Sequence, residues 1–129
     1  MKEVNMYVRG SRNIEREGTY KVILEYKGYR KLIEGKDINT TSNRMLIIGV
    51  IKGIEALKEP CKIKVYSHTY VGFGKMKSKK GKEIIGVRNS VNKDLLLILK
   101  QTIKDGGHIV EEKLLKNHKE IFNSLLNTL

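Results

Sequence analysis

Two alternating apolar segments separated by a Lys-Gly pair constrain the fold of this chain more than any other feature. The segments run from Tyr20 to Tyr26 and from Tyr29 to Ile33, and the Lys27-Gly28 pair between them is typical of a tight hairpin turn. A third alternating segment, Val4 to Val8, precedes them. Because a period of two places apolar side chains on one face of a strand, this part of the chain is predicted to form a three-stranded antiparallel meander.

After this region the apolar period becomes that of a helix. Apolar side chains recur at helical spacing from Asn43 to Lys58, after candidate cap residues and before Pro60, which ends the helix. Further strands are predicted at Cys61 to Tyr66 and at His108 to Leu115. Further helices are predicted at Thr69 to Phe73, Asn92 to Lys104 and Lys119 to Leu126.

This order of elements predicts an α/β fold built on a five-stranded mixed sheet. Strands one to three are expected to be antiparallel, and right-handed crossovers place the fourth and fifth strands parallel to the first. Helices are expected to pack on the faces of the sheet. Because the chain has 129 residues, no internal repeat and no long linker, residues 1–129 are predicted to form a single domain.

The charge of the chain points to a polyanionic partner. The sequence has 26 Lys and Arg against 14 Asp and Glu, a formal net charge of +12, which favours nucleic acid through neutralisation of phosphates. No apolar run approaches the ~20 residues of a membrane span, so no membrane partner is expected. The start of the sequence has no leader pattern, which predicts a cytoplasmic location.

Five short motifs resemble, in the same order, those of the type 1 ribonuclease H family. They are YVRGS from Tyr7, TTSNRM from Thr40, ALKEPCKIKVYSHTYV from Ala56, NKDL from Asn92 and LKNH from Leu115. The family counterparts include Y-T-D-G-S, T-T-N-N-R-M-E and N-x-D-L, and the motifs cover nearly the whole chain. The resemblance implies a ribonuclease H-like fold, and an enzyme that hydrolyses the RNA strand of RNA–DNA hybrids with two Mg²⁺ ions held by four acidic residues.

The sequence departs from the family at those acidic positions. Carried over motif by motif, the four carboxylates fall on Arg9, Leu46, Ser67 and Asn123. A guanidinium ~4 Å from a divalent cation costs roughly 8 kcal/mol of repulsion at an effective dielectric of ~20. We therefore predict no metal ion, no other cofactor and no catalytic residue, and we interpret the chain as a pseudoenzyme.

Residues that contact substrate in the family are largely kept. The resemblance implies that Thr41 touches a DNA phosphate and that Ser42 and Asn43 reach the minor groove, although helix capping explains these residue types equally well. Arg44, in the same motif, is expected to form a structural ion pair. In a metal-free site, Arg9 is a candidate to replace the cations as the phosphate partner, the alternative being a surface or Glu-paired arginine.

The predicted nucleic-acid-binding set is Arg9, Ser11, Asn13, Thr41, Ser42, Asn43, Lys75, Lys77, Lys79, Lys80, Lys82 and His118. Turn chemistry is the alternative for Ser11 and Asn13, and a solvated loop is the alternative for the lysines. The function predicted is non-catalytic binding of RNA–DNA hybrid or double-stranded RNA. Two alternatives stay open: an active ribonuclease H with a rearranged metal site that uses Glu111 or Glu112, and a scaffold for a protein partner or a homodimer.

Overall fold

The computed structural model describes residues 1–71 and 92–129 of the chain. Its strands are β1 (Lys2–Arg12), β2 (Gly18–Tyr26), β3 (Tyr29–Asp37), β4 (Cys61–Ser67) and β5 (Ile109–Leu114). Its helices are α1 (Ser42–Glu55), α2 (Lys93–Gly106) and α3 (His118–Asn127).

The described strands form one mixed sheet in the order β3-β2-β1-β4-β5. The pairs β1–β2 and β2–β3 are antiparallel, whereas β1–β4 and β4–β5 are parallel. The predicted fold class is therefore confirmed. None of the helices in the described ranges has the length and apolarity needed to cross a membrane.

The hairpin between β2 and β3 has the turn that its sequence predicts. Tyr26 pairs with Tyr29, and both residues between them have positive φ angles, 48° at Lys27 and 85° at Gly28. Two positive φ angles are characteristic of a type I′ turn, whose twist matches that of the flanking strands.

Strand β1 continues beyond its predicted end. Apolar alternation stops at Val8, but the backbone of Ser11 and Arg12 still pairs with β2. Polar residues extend the strand because the ladder hydrogen bonds depend on the backbone and not on the side chain.

The main hydrophobic core lies between the sheet and α1. Val4, Met6 and Val8 alternate toward this helix and are buried in one cluster with its apolar residues. Gly53 allows the helix to lie close to the strand, because a Cβ at this position would be 2.8 Å from the Met6 Cε. The opposite face of β1 therefore carries the intervening residues, including Arg9, whose guanidinium reaches the buried Phe122 of α3.

The brief helix predicted at Thr69 to Phe73 is not present in the part that the structure describes. Thr69 to Val71 are irregular, and the last two residues of the prediction lie outside the described ranges. The Ser67 hydroxyl donates to the Thr69 carbonyl, and the Val71 N–H donates to the Glu112 carboxylate. These two side-chain hydrogen bonds stabilise the segment, which has no helical hydrogen bonds among its described residues.

Candidate functional site

A pocket of about 310 Å³ opens at the carboxyl ends of the parallel strands β1 and β4. Polar residues from distant parts of the sequence meet there because parallel strands present their carboxyl ends together. The lining includes Arg9 and Gly10 of β1, His68 and Thr69 after β4, Ser42, Asn43 and Leu46 of α1, and His118 and Lys119 of α3.

Arg9 lines this pocket, and none of the described carboxylates is paired with it. Its Cζ lies 5.7 Å from the centroid of the Phe122 ring, a cation–π arrangement. Within residues 1–71 and 92–129, no carboxylate lies within ion-pair distance of its guanidinium. Arg30 and Arg44, by contrast, are paired with Glu25 and Asp94. The Glu-paired alternative for Arg9 therefore finds no support among the described residues.

The other positions carried over from the family also lack metal-ligand chemistry. Leu46 is 7% exposed and belongs to the core cluster, although it borders the pocket. Ser67 is completely buried, and its hydroxyl donates to the Thr69 carbonyl at 2.6 Å. Asn123 is exposed on α3 and does not line the pocket.

No cluster of three or more His, Cys, Asp or Glu side chains that could hold a metal occurs in the described part of the chain. Mg²⁺ takes oxygen ligands, usually carboxylates, whereas a guanidinium has only donors and leucine has neither donor nor acceptor. The described residues of this pocket therefore do not fit the metal ions that the family resemblance implies.

The start of α1 is capped by its own motif. The Thr41 hydroxyl oxygen accepts a hydrogen bond from the Arg44 N–H at 3.1 Å, the capping alternative for this residue. Ser42 and Asn43 are exposed at the pocket. Arg44 binds both carboxylate oxygens of Asp94 at 3.0 and 2.9 Å, which confirms its expected ion pair. Hydrogen bonding to Arg44 lowers the pKa of Asp94 to about 2.

His118 joins α3 to β1 beside Arg9. It is 1% exposed, and its Nε2 donates to the Val8 carbonyl at 2.8 Å. Its Nδ1 is buried and has no hydrogen-bond partner among the described residues. Burial lowers the pKa of this imidazole, and the charges of Arg9 and His68 act in the same direction. His118 therefore connects α3 to β1. Because both of its ring nitrogens are buried, the structure does not support the predicted phosphate contact.

Ser11 and Asn13 do not line the pocket, and both make local hydrogen bonds, as the alternative of turn chemistry predicted. The Ser11 hydroxyl is 2.7 Å from the Thr19 hydroxyl. The Asn13 side-chain oxygen accepts from the N–H groups of Glu15 and Glu17 at 3.0 and 2.9 Å. Both residues are exposed, so a nucleic-acid contact remains a prediction for them. The predicted lysines, Lys75, Lys77, Lys79, Lys80 and Lys82, lie outside the described residues.

The candidate replacement carboxylates on β5 do not reach the pocket. Glu111 is exposed and lies 3.3 Å from the Lys113 ammonium group. Glu112 points to the other face of the strand, where its carboxylate accepts the Val71 N–H. Neither residue lines the pocket that contains Arg9.

Lys119 and His68 line the pocket and Phe122 contacts Arg9, but none of them was in the predicted binding set. Lys119 and His68 each directly follow a motif position that was considered, so adjacency was the available signal. Phe122 gave no such signal, because its contact with Arg9 depends on how α3 docks on the sheet.

Comparison with known proteins identifies one family along most of the chain. The family model described as RNase H matches residues 1–127. Ribonuclease H of Caldicellulosiruptor saccharolyticus is 48% identical over 69 residues, which are 52% of this chain and 47% of that protein. Ribonuclease H of Sulfurovum sp. is 46% identical over 67 residues, 51% of this chain and 46% of that protein. The matched segment thus spans about half the length of these curated relatives.

Two solved structures share the fold. LC9-RNase H1, a type 1 RNase H with the type 2 active-site motif, has a TM-score of 0.69 and 20% identity, covering 97% of this chain and 70% of that one. The N-terminal RNase H domain of a Mycobacterium tuberculosis protein, fused to maltose-binding protein, has a TM-score of 0.69 and 12% identity. It covers 99% of this chain and 96% of that one. At these identities the likeness is one of fold.

Proposed function

Because the chain belongs to the RNase H family, we propose that it is a non-catalytic member that binds RNA–DNA hybrid or double-stranded RNA and leaves it uncut. The observation that carries the proposal is the chemistry of the pocket. Arg9 and Leu46 occupy positions where the family resemblance places metal-binding carboxylates, and Ser67 is buried with its hydroxyl engaged.

Loss of metal ligands removes the chemistry that the resemblance implies. Bound Mg²⁺ would stabilise the attacking and leaving oxygens of a phosphodiester during hydrolysis. The described lining residues supply no carboxylate, and therefore neither the usual ligands nor the negative charge for such ions. The proposed activity of this chain is binding.

Binding is supported by charge and by the exposed start of α1. The net charge of +12 favours association with a phosphate backbone. Ser42 and Asn43 present hydroxyl and amide groups at a helix N-terminus, where anions are favoured. Such contacts recognise the shape and backbone of a duplex and not its sequence, which suits double-stranded RNA or a hybrid.

An active ribonuclease H is the second candidate, and the names of the curated relatives favour it. This candidate requires a new carboxylate cage, for which Glu111 and Glu112 were the candidates. Their positions on β5, away from Arg9, do not support such a cage.

Binding and cleavage are separated by one experiment. A fluorescent RNA–DNA hybrid is titrated with the protein in Mg²⁺ and in EDTA at two salt concentrations, and the bound RNA is then run on a denaturing gel beside a reaction with an active ribonuclease H. We expect salt-sensitive binding that is equal with and without Mg²⁺, and intact RNA. Metal-dependent cleavage would establish the second candidate, and absence of binding to hybrid and to double-stranded RNA would refute the proposal.

A further inference from the structure

Every ionisable side chain that lines the pocket from residues 1–71 and 92–129 is basic. They come from three separate elements: Arg9 from β1, His68 from the turn after β4, and His118 and Lys119 from α3. None of the described lining residues is Asp or Glu. The chain as a whole has 14 acidic residues, so their absence here gives the pocket a local positive potential that favours an anion.

Arg9 contacts an aromatic ring, and no carboxylate of the described residues neutralises it. The Phe122 ring centroid lies 5.7 Å from its Cζ, a cation–π contact. A cation–π contact does not use the N–H groups as hydrogen-bond donors to a carboxylate, so they remain for a ligand. Arg30 and Arg44 show the contrast, because each uses its N–H groups on a carboxylate.

The start of α1 faces the same space. Ser42 and Asn43 are the first two residues of this 14-residue helix, and both line the pocket. The positive end of the helix dipole therefore adds to the charges of Arg9 and Lys119. Cationic side chains and the helix end thus approach the pocket from different elements, and both kinds of group bind phosphate oxygens.

His118 holds α3 against β1 next to Arg9. Its Nε2 binds the carbonyl of Val8, the residue before Arg9, and its ring lies 5.7 Å from the Phe122 ring. The same turn of α3 therefore positions both Phe122 and the exposed Lys119 relative to β1. His118 is a positioning residue, since its own nitrogens are buried.

We propose that this pocket binds a phosphate group directly, without a divalent cation, with the Arg9 guanidinium as its bidentate partner and with Lys119 and the N-terminus of α1 as supporting contacts. This inference rests on the proposed function, in which the phosphate belongs to the backbone of the bound duplex. A pocket of about 310 Å³ lies at the small end of the range for ligand sites and suits one such group with its ester substituent.

The test uses inorganic phosphate as the probe, in EDTA, at constant ionic strength. Backbone amide resonances of Gly10, Ser42 and Asn43 and the Arg9 Nε–H resonance are followed by NMR as phosphate is added. We expect saturable shifts confined to the pocket. Arg9→Gln should weaken phosphate binding about tenfold, because it removes a charge-assisted bidentate contact.

Matched variants separate the site from general positive charge. Arg12→Gln removes the same charge from the exposed end of β1, outside the pocket, and should leave the phosphate affinity unchanged. Arg9→Lys should recover only part of the affinity, because lysine keeps the charge but not the planar fork. Shifts that do not saturate, a requirement for Mg²⁺, or equal losses in Arg9→Gln and Arg12→Gln would overturn the inference.

Hybrid binding by the same variants distinguishes this inference from the proposed function. If wild-type protein binds hybrid but not phosphate in the pocket, and Arg9→Gln binds hybrid normally, the phosphate site is refuted and the binding function stands. If wild-type protein binds phosphate through Arg9 but no duplex, the site stands and the proposed function is refuted.

Discussion

At the scale of single residues, the substitutions at the pocket are mutually consistent. Leu46 joins the core and Ser67 donates to a backbone carbonyl, so neither leaves a buried charge that a metal would have to neutralise. Arg9 contributes a positive charge where the family resemblance places a metal-binding carboxylate. Returning all three positions to carboxylates should therefore convert an anion pocket into a cation pocket.

The corresponding prediction concerns Arg9→Asp/Leu46→Glu/Ser67→Asp. Two of these carboxylates replace buried side chains, so we expect a lower melting temperature than that of the wild type in EDTA. Mg²⁺ should raise the melting temperature of this variant and not that of the wild type, because a ligand that binds only the folded state stabilises it. Thermal unfolding with and without Mg²⁺ measures both effects.

A control with the same composition places the changes on exposed positions. Arg12→Asp/Leu97→Glu/Ser11→Asp alters residues outside the pocket. An equal Mg²⁺ response in this control, or a Mg²⁺ response of the wild-type protein, would contradict the prediction.

His118 should make stability depend on pH. Burial lowers the pKa of its imidazole in the folded state. Between the folded and unfolded pKa values, the unfolded chain holds the proton and the folded chain does not. At a pH above the pKa of the unfolded chain, about 6.5, protonation of His118 therefore takes nothing from the free energy of unfolding. As the pH decreases below this pKa, the free energy of unfolding falls.

The prediction is that His118→Gln reduces the difference in urea-unfolding free energy between about pH 7.5 and about pH 5.5. The glutamine amide can still donate to the Val8 carbonyl but does not titrate. Burial also lowers the pKa of His108, so His108→Gln accounts for its share. His68→Gln, at an exposed position, is the control, and a pH response of His118→Gln equal to that of the wild type would be evidence against the assignment.

Only part of the pocket could be predicted from the sequence. Arg9, Leu46 and Ser42 lie inside short motifs that resemble those of the family, so their positions followed from resemblance. Asn123 lies beyond the last motif, where the segment is shortened, and its exposed position on α3 away from the pocket could not be anticipated. The Phe122 contact depends on the docking of α3 across the sheet, which no local pattern specifies.

At the scale of elements, β1 and α1 determine the shape of the pocket. Gly10 lies against the first turn of α1, where an added Cβ would overlap the Leu46 nitrogen and the Ser42 carbonyl oxygen. Both of these are backbone atoms, so a side-chain rotation cannot relieve the overlap. The distance between Arg9 and the helix N-terminus is therefore set by the missing side chain at position 10.

We predict that Gly10→Ala lowers the free energy of unfolding by about 1–3 kcal/mol, the usual cost of overpacking. Because the first turn of α1 must move outward, the variant should also bind hybrid more weakly. Urea unfolding and fluorescence titration measure these two effects. Gly28→Asn is the control, since asparagine tolerates the positive φ of this turn and an added Cβ meets nothing within 4 Å.

The elements themselves were largely predictable, because the apolar period changes at the start of α1 and the hairpin turn has its expected residues. The residues at which the elements end were less predictable. β1 continues through polar residues as far as Arg12 because β2 supplies backbone partners. Thr69 to Val71 avoid a helix because Ser67 and Glu112 provide competing hydrogen bonds. Both effects come from tertiary contacts that a local apolar pattern does not contain.

At the scale of the whole molecule, the net charge of +12 is not evenly distributed along the chain. Residues 75–82 contain five lysines, and the resemblance places them where longer family members carry a basic protrusion. Counterion release predicts that each phosphate contact adds ~0.9 to the slope of log affinity against log salt. A basic segment that contacts the duplex should therefore contribute to the slope, whereas lysines that make no phosphate contact should contribute little.

The final prediction compares two variants that lose the same five charges. In one, Lys75, Lys77, Lys79, Lys80 and Lys82 are replaced by glutamine. In the other, glutamine replaces Lys21, Lys31, Lys36, Lys62 and Lys64, which are exposed on the sheet. We expect the first variant to bind hybrid with a smaller salt slope than the wild type, and the second to keep a slope close to that of the wild type. Equal slopes would mean that total charge, and not the lysine segment, governs binding. If the first variant also keeps the Arg9-dependent phosphate shifts, the pocket and the lysine segment contribute independently to recognition of the duplex backbone.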